Sequence, residues 1–178
     1  AENLNLYESV QASIVTKNDE ILVLERYGPS QDRLKLLKVK SDGNIDFNFG
    51  LNGFLDVSKT SDGSAWTPNP LGLTTDSDGK IIVGYYKSNW SSSTPEVEIS
   101  RLNPDGSLDY SFSTDGKVQI SLPGETSWAS SGAKLISVDP SNNPIIALPR
   151  EWGTQVLLIQ RKQGTVEGGK FALPGGFI

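Results

Sequence analysis

The sequence predicts an all-β fold of three four-stranded, propeller-type units, about twelve strands in all, with essentially no helix. Three observations predict it. Short apolar or alternating runs are separated at regular intervals by Asp-Gly and related turn clusters, as strands joined by tight turns are. Nowhere do apolar residues keep a helical spacing for long without meeting a Gly, Pro or turn cluster. The stretch 101–124, RLNPDGSLDYSFSTDGKVQISLPG, also has approximate copies at 39–57 (VKSDGNIDFNFGLNGFLDV) and 161–175 (RKQGTVEGGKFALPG). Copies at a fixed spacing mean one supersecondary unit used repeatedly.

The copies align without a gap between the first two units. Asp42-Gly43 matches Asp105-Gly106, Asp46 matches Asp109, Phe49 matches Phe112 and Gly53 matches Gly116. In the third unit Gly169-Lys170 stands where Gly116-Lys117 stands in the second. Residues 1–178 are thus read as a single repeat domain, with repeats at about 10–58, 71–122 and 133–175.

In the first unit a polar stretch, AENLNLYESVQA, precedes a short β-branched run at 13–16. Asn18-Asp19-Glu20 turns the chain into 21–24 (ILVL), a continuous apolar run of the kind found in strands buried on both faces. Tyr27-Gly28-Pro29-Ser30 breaks that run; 34–39 (LKLLKV) follows, then the turn at Asp42-Gly43 and a last strand at 54–57.

The second unit opens at 73–75 and turns at Asp76-Ser77-Asp78-Gly79, where Gly supplies a positive φ at no steric cost. Its buried run is 81–83 (IIV), followed by a polar loop at 88–95. Residues 97–102 alternate, with a solvated face that takes Glu98, Asp105-Gly106 turns, and 117–122 (KVQISL) alternates again. The third unit has strands at 135–138 and 145–148 around Asp139-Pro140-Ser141-Asn142-Asn143. A loop at 149–153 leads into 156–159, Gln163-Gly164 turns, and 170–173 ends the unit.

Composition excludes several function classes. The net charge is −5 and the pI near 4.8, so the chain has no basic footprint for nucleic acid or anionic lipid. There is no Cys, His or Met among the 178 residues. That removes disulfides, thiolate sites, the commonest transition-metal ligand and Ser-His-Asp catalysis. No apolar run approaches the length of a membrane span. A start at Ala1 without Met is what a processed or Met-trimmed protein shows. The Gly, Ser, Asn and Asp-rich composition suits an extracellular, cell-surface or virion setting.

The motif TDSDGKIIVGYY followed by RLNPDGSLDYSFSTDGKV resembles the delta-60 repeat, a family of tandem β-propeller-like repeats in bacterial surface and secreted proteins. The resemblance is close over 71–124, fair over 13–58 and degenerate over 133–175, where the Phe is missing. It implies a fold and no activity, since the motif positions are turn formers and core aromatics. Residues 156–177 also look like the opening of a Nudix hydrolase, whose ALPGGF-like segment precedes a Glu-rich, magnesium-binding helix. The register of the third repeat accounts for the same residues as two strands and a turn.

Candidate chemistry is sparse, and no catalytic residue, metal site or cofactor is expected. Asp76, Asp78 and Gly79 hint at a calcium loop, but Lys80 and the lack of a spaced bidentate Glu leave a hairpin turn. Asp105 with Asp109, repeated as Asp42 with Asp46, has the composition of a glycosidase pair. Recurrence with the repeat instead marks turn-capping residues. Asn89-Trp90-Ser91 fits a glycosylation sequon.

The aromatics carry the binding expectation. Trp66, Trp128 and Tyr7 precede the first strand of their units, while Trp90, Trp152 and Tyr27 follow the second. In an up-and-down four-stranded unit both places lie at the same end, so these six would share one rim and the Asp-Gly turns the other. Such a rim anchors sugars, peptides or a protein partner, or it plugs gaps between units. Three units do not close a ring, so association is expected with a second copy, two chains making a six-bladed ring, or with another surface or virion protein. A closed β-trefoil is the alternative architecture. The expected function is a non-catalytic structural or assembly protein of a bacterial surface or phage virion. A carbohydrate- or peptide-binding module stands second and a carboxylate-based hydrolase third.

Overall fold

A computed structural model of the chain describes residues 8–28, 33–57, 69–87, 96–121, 135–150, 153–159 and 171–172. These residues form strands and turns and no helix. The strands are β1 (Ser9–Val15), β2 (Ile21–Tyr27), β3 (Arg33–Val39), β4 (Phe54–Asp56), β5 (Asn69–Thr75), β6 (Ile81–Lys87), β7 (Glu96–Leu102), β8 (Lys117–Ser121), β9 (Leu135–Val138), β10 (Pro144–Arg150), β11 (Gly153–Ile159) and β12 (Phe171–Ala172). They make three antiparallel sheets, β1-β2-β3-β4, β5-β6-β7-β8 and β9-β10-β11-β12, each a meander. The described strands close no barrel, unlike a β-trefoil.

Several strands run further than their residues announced, β1, β2, β5, β6, β10 and β11 among them. β1 begins at Ser9, inside the polar stretch, because backbone pairing to β2 and not side-chain burial defines it. β10 continues through Pro149 and Arg150, which pair with Thr154 and Gly153 instead of forming a loop. The first strands of the first two sheets share an irregularity: the register shifts between Val10 and Ala12 in β1, and between Pro70 and Gly72 in β5. Pro70 is tolerated because a bulge suspends the ladder there.

Each sheet has a trailing face, toward the sheet before it, and a leading face, toward the sheet after it. Leu22, Leu24, Leu34 and Leu36, from the leading face of the first sheet, share one core with Leu73, Ile81, Val83 and Tyr85 from the trailing face of the second. The leading face of the second sheet puts Ile82, Val97, Ile99 and Ile120 into another core with Ile136 and Ile146 of the third. The run 81–83 therefore meets a neighbour on both faces and is buried throughout. Gly72 and Gly84 leave room for Ile136, whose methyl carbons would lie 2.8 and 3.0 Å from a Cβ at those positions. β1 lies beside β5, and β5 beside β9, so the first strands of the three sheets run in a row.

The run 21–24 departs from its expected burial on both faces. Leu22 and Leu24 are fully buried, whereas Ile21 is 39% exposed and Val23 half-buried. The second sheet covers the leading face of β2, and no described element covers its trailing face.

Candidate interaction site

The turns between first and second strands are built to one pattern. Thr16 Oγ1, Asp76 Oδ1 and Asp139 Oδ1 each accept two backbone N–H groups, from residues 18 and 20, 78 and 80, and 141 and 143. Three residues beyond each acceptor the backbone enters the left-handed region, at Asp19 (φ 58°), Gly79 (φ 80°) and Asn142 (φ 64°). Asp, Gly and Asn are the residues that tolerate this conformation. The turns also link sheet to sheet. Lys17 Nζ donates to the Ser77 carbonyl at 2.9 Å, Ser77 Oγ donates to Asn142 Oδ1 at 2.9 Å, and Asn142 Nδ2 donates to Asp78 Oδ2 at 3.1 Å.

The turns between third and fourth strands gather at the same end. Gly43 (φ 83°) and Gly106 (φ 89°) hold the positive-φ positions expected of them. Asp42 and Asp105 cap these turns by accepting the N–H groups of Asn44 and Ser107, each at 2.9 Å. The Ser107 hydroxyl and amide hold the Asp105 carboxyl below its ordinary value, and the Asn44 amide does the same for Asp42. Of the calcium candidates, Asp76 Oδ1 accepts the Asp78 and Lys80 amides, and Asp78 Oδ2 accepts from Asn142 Nδ2.

Beside these turns the two units carry inverted charge triads. In the first, Lys38 lies between Glu20 at 2.9 Å and Asp46 at 3.7 Å. In the second, Asp109 lies between Arg101 at 2.8 Å and Lys80 at 3.6 Å. Burial works against the ionised Asp109, but the Ser111 hydroxyl and amide, with Arg101 and Lys80, prevail and keep its carboxyl low. Asp42 with Asp46 and Asp105 with Asp109 thus serve as turn caps and ion-pair partners. A small cleft of about 100 Å³ opens between Lys17, Glu20, Lys38, Asp78, Gly79 and Pro104. That is well short of the several hundred Å³ typical of organic-ligand sites.

Of the six aromatics expected on the opposite rim, Tyr7, Trp66, Trp90, Trp128 and Trp152 lie outside the described residues. Tyr27 closes β2 at the end away from the turns, and does not follow the strand. Its hydroxyl donates to Asp56 Oδ2 at 2.6 Å, and the Lys35 ammonium stands 5.7 Å from its ring centre. Burial, reinforced by Asp56, pushes the phenol up to about 12.

Two features were not anticipated from the sequence. Tyr85 Oη contacts the Val57 carbonyl of the first sheet at 3.0 Å and the Glu98 carboxylate of its own sheet. Glu98 also receives Lys117 Nζ at 2.9 Å and Gln119 Nε2 at 3.0 Å. Burial, then the Glu98 charge, pushes the Tyr85 phenol upward. The apolar-polar pattern of β7 placed Glu98 on a solvated face; the first sheet covers that face instead.

The other feature is the trailing face of the first sheet. Cross-strand pairing puts Val15, Ile21, Val39 and Ile45 in one row and Val23, Leu37 and Phe54 in the next. Partners in a row share a face. Val15 is 67%, Ile21 39% and Ile45 41% exposed. A family model described as "Domain of unknown function (DUF5122) beta-propeller" matches residues 77–112, from the first turn of the second sheet to Phe112. No curated protein matches the chain.

Proposed function

We propose that the chain is a non-catalytic structural or assembly protein of a bacterial surface or phage virion, built from delta-60-type repeats. Each four-stranded sheet is one propeller blade, and the protein associates with its partners through blade faces. The observation that carries this reading is the stacking of the sheets: first strands run in a row, and each sheet buries the trailing face of the next. The match of 77–112 to a β-propeller family supports it. So does the use of the recurring carboxylates as turn caps and ion-pair partners. Light scattering on the purified chain tests the proposal: a mass above one chain is expected, and a single-chain mass at every concentration contradicts it.

A further inference from the structure

We infer that the trailing face of the first sheet is the docking face for a second copy of this chain, which seats the leading face of its third sheet there. The inference rests on the blade-face association proposed above and specifies the two faces and the partner.

The argument starts from equivalence inside the chain. On the trailing face of the second sheet, Thr75, Ile81, Leu102 and Leu108 form the row that corresponds to Val15, Ile21, Val39 and Ile45. There Ile81 and Leu102 are buried by the leading face of the first sheet. In the first sheet the same positions are apolar and partly or largely exposed. The residues of β2 thus have the composition of a strand covered on both faces while one face is covered. An apolar row this continuous on a sheet that leaves it open marks an interaction surface.

The established interface between the first two sheets states what fits such a face: the leading face of another repeat. The third sheet carries one. By repeat register Ile145 and Ala147 hold the positions of Leu22 and Leu24, yet they are half-buried where the two leucines are fully buried. A second copy therefore presents the complementary surface, and the contact continues the stacking already present in each chain. This interface is heterologous, since different patches meet, and two copies close it into a two-fold ring of six sheets. The ring gives the exposed apolar row of the first sheet a neighbour.

Sedimentation of the full chain and three lysine variants tests this, with thermal melting of each to verify folding. Wild type and Tyr110→Lys, whose aromatic is exposed on a turn of the second sheet, are expected to sediment as two chains. Ile21→Lys and Ile145→Lys are each expected to fall to one chain. Mixing those two variants restores a two-chain species, because one unaltered pair of faces remains. Two-chain mass retained by Ile21→Lys overturns the inference and leaves blade-face assembly standing. Loss of mass in Ile21→Lys but not in Ile145→Lys overturns it in favour of a symmetric pairing of two first sheets. A single-chain wild type overturns both the inference and the proposed function.

Discussion

The ring of Phe49, in the loop that closes the first sheet, lies against Gly106, the positive-φ residue of the Asp-Gly turn in the second. A Cβ at Gly106 would sit 3.1 Å from Phe49 Cε2 and 3.2 Å from the Gly50 nitrogen. The Gly50 N–H in turn donates to the Asp105 carbonyl at 3.2 Å. The Asp-Gly turn is thus both a hairpin device and a socket for the neighbouring sheet.

Two valine substitutions separate these roles. Gly43 has the same backbone (φ 83°) and nothing within 4 Å of a Cβ. Gly43→Val should cost only the left-handed penalty, about 1–2 kcal/mol. Gly106→Val should cost at least about 1 kcal/mol more, because the side chain also strikes Phe49 and the Gly50 backbone. Urea unfolding of both variants measures the difference; equal losses would mean Gly106 does not serve as a socket.

Tyr85→Phe leaves the buried Glu98 with one donor fewer and the Val57 carbonyl without its phenol partner. A loss of about 1–3 kcal/mol is expected from groups stranded in this way. Thermal or urea unfolding checks it, and an unchanged midpoint would show that the phenol does not tie the two sheets.

Ser100 Oγ is buried with no hydrogen-bond partner among the described residues. Replacing it by Ala removes an unmet polar group at little loss of volume. Ser100→Ala should be neutral or stabilise by up to about 1 kcal/mol. A drop of more than that amount would reveal a partner for the hydroxyl.

Acid should act through the turn caps. Asp139 is held below its ordinary value by the Asn143 side chain, then by the Asn143 and Ser141 amides, with burial opposing. A depressed folded-state value means the unfolded chain binds more protons, so the stability is present above the ordinary carboxylate range and is lost as pH falls through the folded value. Asp139→Asn should weaken the chain near neutral pH and reduce the dependence of its stability on pH below about 4. Parallel acid titrations of wild type and variant would refute this if their slopes matched.

The turns and most strand positions were legible because the repeat writes them locally. Asp76-Ser77-Asp78-Gly79 and Asp105-Gly106 name their own backbone conformation. The first-strand turns of the outer units were harder to align, since the left-handed residue is Asp19 in one and Asn142 in the other. β1 extends into polar residues because hydrogen bonding to β2 defines an edge strand better than composition does. The uncovered face of β2 was not legible at all: ILVL and IIV read alike, and only the neighbouring sheet distinguishes one-sided from two-sided cover. The Glu98 network was missed for the same reason. Among the aromatic rim candidates Tyr27 alone falls within the described residues, where it is tied to Asp56.

A crystal structure of the assembled particle tests the central claim most directly. The account predicts six sheets about one axis, with β9 of each copy beside β1 of the other, as β5 lies beside β1 within the chain, and with Ile21 and Val39 buried at the junction. A particle in which the trailing face of the first sheet meets solvent, or meets anything other than the leading face of a third sheet, would contradict it.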